Sequence, residues 1–256
     1  TRFQTFLPDM LRRGYGGAIL VHLLLIAIWQ LAADYGGMPK YMLPSPTETL
    51  ATLFQPRNRW VENTTITAIE ILGGFGLAVV VGVAIALVFS WSKTALLLFM
   101  PLLVSLNMIP KVALGPLIIV WFGIGEGSKV ATILFGTFFP TVIATYGGVD
   151  NVDRNLIRMG QSFGLSWLSI VRKIIIPGAL PAILSGFRIS ASIAIVLLVA
   201  AEMIGAQYGI GAYILMAGAI FATDQLIAGV AMLSILGLSV GWLIGRAEQY
   251  FLNWRT

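Results

Sequence analysis

The chain has 256 residues, 58% of them hydrophobic and only 11% charged, with a mean hydropathy of +0.90. Soluble domains carry about 25% charged residues, so an ordinary water-soluble globule is excluded. The absence of cysteine excludes disulfide frameworks and thiolate metal sites. The net charge of +5 need not signal nucleic acid, because basic loops on the cytoplasmic side of a membrane protein give the same balance.

Several apolar runs reach the ~20 residues that cross a ~30 Å hydrocarbon core. They do not alternate as barrel strands would, so the fold class is all-α integral membrane. The segment TRFQTFLPDMLRRGYGG precedes the first span, about 17–34, which has no small-residue cleavage site and is expected to be retained. A polar stretch follows, in which Ser45-Pro46-Thr47 before Glu48 predicts a short amphipathic helix over 46–54. The second span, about 64–91, carries Gly73, Gly74, Gly76 and Gly82. A third region, 95–124, is broken by Pro101, Pro110 and Pro116; EGSK then makes a polar turn. The fourth span covers about 129–148, a charged segment runs over 150–180, and the fifth and sixth spans cover about 183–204 and 226–245. Gly73-x-x-Gly76 and Gly237-x-x-x-Gly241 fit close helix packing. The chain reads as one transmembrane domain over 1–256, without an internal repeat of the kind that marks inverted-repeat secondary transporters.

Six transmembrane helices put both termini on one side. With that side inside, the inner segments hold Arg2, Arg12, Arg13, Lys93, Arg154, Arg158, Arg172, Lys173, Arg188, Arg246 and Arg255, against Lys40, Arg57, Arg59 and Lys129 outside. The bias predicts cytoplasmic termini and a cytoplasmic segment 150–180. Within that segment, residues 154–162 can form a short helix and Gly164 can adopt a backbone angle other residues resist. A second helix over about 166–173 would carry Trp167 and Ile170, ending on Arg172 and Lys173, where basic residues favour the helix dipole. Pro177 and Pro181 would stop it and restart the chain as the fifth span. The product is a helical hairpin tied to a transmembrane helix, a part that something outside the membrane could push.

This spacing resembles the cytoplasmic loop of permease subunits of binding-protein-dependent ABC importers, written E-A-A, three residues, G, nine residues, I-x-L-P. Gly164 is followed by nine residues and then Ile174-Ile175-Ile176-Pro177. Isoleucine replaces leucine at 176, and the triplet falls on Arg158-Met159-Gly160, a departure in which a guanidinium stands where a carboxylate is usual. LPSPTET, IPKVALGPLIIVWFGIGEGSK and AEMIGAQYGIGAYI look like the branch handling nitrate, taurine, alkanesulfonates and pyrimidine precursors, so the similarity spans about residues 40–250.

The resemblance implies a type I ABC importer permease fold in the bacterial inner membrane, with a second permease copy, expected as a homodimer, surrounded by lipid. It implies two cytoplasmic ATP-binding subunits holding the coupling hairpins and a periplasmic binding protein delivering a small, anionic organic or inorganic solute. The ATPase-coupling residues would be Arg158, Met159, Gly160, Ser162, Phe163, Gly164, Leu165, Ser166 and Pro177. The chain has no G-x-x-x-x-G-K-[ST] phosphate loop; ATP and Mg would be used by the partner, with no cofactor or metal bound here and no enzyme activity of its own.

Charges inside the membrane are costly and are functional candidates. Lys111, between Pro110 and Pro116, could be a pathway cation for an anionic substrate or could snorkel or pair with a carboxylate; Asn107 could share its face. Glu202 is expected either at the translocation pathway or in a structural ion pair. Arg188 is a candidate for transmission between hairpin and span, or for interface snorkelling. The lone His22 is expected in packing or an interhelical hydrogen bond. Glu70 lies in the outer half of the second span with no evident partner. Trp29, Trp60, Trp91, Trp121, Trp242 and Trp254 fit an interfacial belt. A stand-alone secondary transporter or channel is the alternative function, and a membrane scaffold a third; a self-powered transporter has no use for a rigid cytoplasmic lever.

Overall fold

A computed structural model describes residues 3–252, with side chains from Gly16 onward except Pro56. Arg2, Trp254 and Arg255 lie outside the described residues, as do the side chains of Arg12 and Arg13. The described residues form helices α1 (Phe3–Tyr35), α2 (Pro46–Leu53), α3 (Trp60–Trp91), α4 (Lys93–Asn107), α5 (Gly115–Phe122), α6 (Glu126–Asp150), α7 (Arg154–Ser162), α8 (Trp167–Ile170), α9 (Ile176–Gly205), α10 (Ile210–Ala219) and α11 (Thr223–Leu252). Five helical stretches are long and apolar enough to cross a membrane, and α4 with the Lys111–Phe122 segment makes a sixth if that pair, bent by 85°, is one span. The bend falls where Pro110 interrupts the chain, since proline has no N–H to continue the ladder. Helix α10 was not among the expected elements. Its ten residues are too short to span.

The chain divides into two compact units. One comprises residues 1–60 and 214–230. Its α1 side chains are exposed on almost every face from Gly16 to Tyr35, as a lipid-bathed helix requires. His22 is exposed and its Nδ1 lies 2.7 Å from the Ala18 carbonyl of the same helix, a bond within α1 where packing or an interhelical bond was expected. Trp29 Nε1 donates to the Pro44 carbonyl at 3.0 Å, fixing the start of α2. There Ser45 and Glu48 form a reciprocal capping box. Lys40 pairs with Glu48, and this bond holds the Glu48 carboxyl below its ordinary range. Thr52 Oγ1 donates to Asp224 Oδ2 at 2.9 Å.

The second unit comprises residues 61–213 and 231–256. Its centre is the α6–α9 pair. Small residues let these helices meet: a side chain on Gly148 would strike Ala182 at 2.9 Å, and one on Gly136 would strike Leu197. Thr132, Thr137 and Thr141 are buried, each returning its hydroxyl proton to the carbonyl four residues earlier, and the Thr141 and Ser190 hydroxyl oxygens lie 3.1 Å apart. On α3 the close approaches occur at Gly74, 2.8 Å from the Val130 carbonyl for an added Cβ, and at Gly82 against Thr141. The expected pairs are only half used: Gly73 and Gly237 touch neighbours, while Gly76 and Gly241 face open space.

Candidate functional site

The segment after α6 folds as a hairpin. Asp153 caps α7 by accepting from the Asn155 N–H at 2.8 Å. Gly164 ends it with φ +70°: its N–H bonds the Gln161 carbonyl at 2.9 Å and that of Leu165 bonds the Gly160 carbonyl at 3.1 Å. These paired bonds close a helix through a left-handed residue, a conformation glycine adopts without penalty. Ser166 then caps α8. Gly160 is buried, and a Cβ there would meet Ile174 Cδ1 at 2.8 Å and Ile170 at 3.4 Å. The last position of the triplet thus sits close against Ile170 and the end of the Ile174 side chain, where a small residue fits without displacing them. Ile170 and Ile175 join Val149, Val152, Ala179 and Ile183 in a core that fastens the hairpin to α6 and α9.

The expected break at Pro177 and Pro181 does not occur. Residues Trp167–Gly205 run as one continuous helical stretch. A π-helical turn over Val171–Ile175 lies directly before Pro177, and the Ile176 N–H bonds the Val171 carbonyl. The wider turn relieves the clash a proline ring makes with the carbonyl four residues back. Hairpin and span thus form one body.

The two faces of α7 differ. Leu156, Met159 and Phe163 are exposed on one side, with Leu168 of α8 also exposed. Arg154, Arg158 and Gln161 lie on the opposite side and line a cleft of about 690 Å³, together with Lys93, Tyr146 and Trp167 among others. Arg158, expected on the ATPase contact, is exposed and lines this cleft.

At the α4–α5 bend, Lys111 is half-buried, and its ammonium donates to both the carbonyl and, at 2.9 Å, the Oδ1 of Asn107. The ammonium also stands 5.7 Å from the centre of the Phe139 ring. The two residues do share a face, and the lysine caps the negative end of α4.

A second polar group is wholly buried. Lys129, read from sequence as an outer loop charge, lies inside α6 and is 6% exposed, paired with Glu70 of α3, 1% exposed. The carboxyl of Glu202 adjoins that of Glu70. Glu202 accepts from Thr67 Oγ1 at 2.7 Å and from the Gly211 N–H at 2.6 Å. Thr67 accepts from the Ile210 N–H and Asn63 Oδ1 from the Gly209 N–H, both at 3.0 Å. Gly209 takes φ +116°, and any side chain there would collide with Glu202. The cluster ties the start of α10 to α3, α6 and α9. The sequence signal for the Lys129–Glu70 pair was weak, since the two residues lie far apart along the chain. Arg188 sits well inside α9 and bonds Glu248 of α11 at 2.5 Å.

The model of the family "Binding-protein-dependent transport system inner membrane component" matches residues 78–251, more than half of the chain. A probable ABC transporter permease protein of Haemophilus influenzae is 32% identical over 89% of this chain and 95% of its own length. A putative aliphatic sulfonates transport permease protein of Bacillus subtilis is 32% identical over 97% of this chain and 91% of its own. Among solved structures, an inward-facing form of the MetNI methionine ABC transporter superposes with a TM-score of 0.62 at 17% identity, covering 74% of this chain and 94% of that one.

Proposed function

The chain belongs to the binding-protein-dependent transport system inner membrane components, and on that footing we propose that it forms the translocation pathway for a small anionic solute, driven by a separate ATPase. The observation that carries the coupling part of this reading is the hairpin's union with α9. A rigid lever that leaves the bundle and re-enters it without a hinge transmits displacement at one end to the other. Met159 and Phe163, with Leu156 on the same exposed face, form an apolar knob suited to a groove on an ATPase. Gly160, Gly164, Leu165, Ser166 and Pro177 shape the lever behind that knob, and Ser162 flanks it. The knob faces the cytoplasm, in keeping with the basic charges of Arg154, Arg158, Arg172 and Lys173 around it.

The solute class rests on Lys111. Its cation stands at a broken span with Asn107, and broken backbone at membrane depth is tolerated where it lines a cavity. The sulfonate named for the Bacillus subtilis relative has the matching charge. Two copies of the chain, a periplasmic binding protein and Mg-ATP on the ATPase complete the importer. Glu202 holds the neighbouring loop of the pathway wall, and Arg188, through Glu248, links α9 to α11 so that both follow the lever.

The chain has no cysteine, so one introduced thiol gives an unambiguous crosslink. Phe163→Cys is expected to crosslink to a co-expressed ATPase subunit and to react with an impermeant thiol reagent only from the cytoplasmic side. Labelling solely from the periplasmic side overturns the assignment.

A further inference from the structure

We propose that the cleft behind α7 is a binding site for the headgroup of an anionic phospholipid. The proposal rests on the functional reading only for which side of the membrane the cleft faces. Lys93, Arg154 and Arg158 line the cleft against a single carboxylate, Asp150, which lies 4.0 Å from Arg154. The imbalance is built into the helix starts. Helix α4 opens on Lys93 and helix α7 on Arg154, and neither has an acid in its first turn. At α4 the cation adds to the positive end of the helix dipole, while at α7 the N-cap carboxylate of Asp153, which accepts from the Asn155 N–H, offsets it. Counting Asp153 beside the cleft, three cations still face only two carboxylates, an excess of positive charge.

The cleft also has apolar lining. Phe89 and Ile175 are buried there, and Leu97, one turn beyond Lys93 on α4, is exposed. A volume of about 690 Å³ falls within the range of small-molecule sites, roughly 300–1,000 Å³. Basic pockets at the membrane boundary of transmembrane helices are suited to anionic headgroups. Here the cations would hold the phosphate while Leu97 and Phe89 meet the upper acyl chain. Because Arg154 and Arg158 belong to the lever, an occupied cleft would bias the position of the hairpin.

The test is native mass spectrometry of the purified permease, alone and with its ATPase, after exchange into phosphatidylglycerol or phosphatidylcholine. One phosphatidylglycerol per permease is expected to persist, with phosphatidylcholine lost. Lys93→Gln, Arg154→Gln and Arg158→Gln combined should weaken retention about a hundredfold, the scale of three basic contacts, while exposed Lys173→Gln leaves it unchanged. Equal retention of both lipids, retention that survives the triple substitution, or displacement by excess inorganic phosphate overturns the proposal; the last outcome would identify a soluble-anion site. A photocrosslinker on Arg158→Cys should enter lipid, and capture of the ATPase or a second permease copy also overturns it. Failure of the ATPase to co-purify is a separate result, bearing on the functional reading, since lipid retention is read on the permease itself.

Discussion

Lys129 and Glu70 show what a single charge requires inside a membrane protein. Each is almost fully enclosed, so neither can snorkel to water, and each is tolerable only because the other is present. Breaking such a pair leaves an uncompensated buried charge, at a cost of about 3–5 kcal/mol. Lys129→Met is expected to lower the thermal stability of the detergent-solubilised protein by that order, with α10 losing its anchorage as Glu70 and Glu202 are left facing each other. Replacing both partners, as Lys129→Met with Glu70→Leu, should recover most of the loss, because well-packed apolar residues substitute for a buried pair at little cost. Tryptophan-fluorescence melts of the two singles and the double give the coupling; additive losses would show that the pair does not act as a unit.

The hairpin α7–α8 is held by backbone chemistry at one residue and by packing at another. Gly164 occupies the left-handed region, and a β-branched side chain there is strained. Gly164→Val is expected to reduce ATPase co-purification several-fold, through a cost of about 1–3 kcal/mol for holding a residue in a sparsely populated region, while α9 and the membrane bundle stay intact. Gly164→Asn, which tolerates that region, should retain most of the association. Pull-down of the ATPase on the two variants separates a backbone requirement from a simple need for a small side chain. The π-helical turn before Pro177 explains why the lever can be rigid. It relocates the hydrogen bonds that the proline would otherwise leave open.

For the molecule as a whole, transport depends on whether the α4–α5 bend lies along the solute's route. Lys111→Ala is expected to lower uptake of an anionic solute about tenfold or more in proteoliposomes containing the complete importer, without loss of assembly. That is the scale of one charge-assisted contact of about 1.5–3 kcal/mol. Lys111→Arg should keep most of the activity. Equal uptake by the alanine variant would restrict Lys111 to capping α4 through Asn107.

The sequence by itself determined the membrane class, the positions of the spans and the hairpin with Gly164 at its turn, because hydropathy, proline and glycine act locally. The capping box at Ser45–Glu48 was legible for the same reason. It did not disclose the Lys129–Glu70 pair, the enclosure of Glu202 by the loop before α10, or the unbroken passage through Pro177. Nor did it show that Arg158 faces a cleft while Met159 and Phe163 face outward. Those outcomes depend on which helices pack together, how closely their small residues let them approach, and which way each face turns. A charge far from its partner along the chain has no local signature; only the assembled bundle brings the two within reach and removes the water that would otherwise keep them apart.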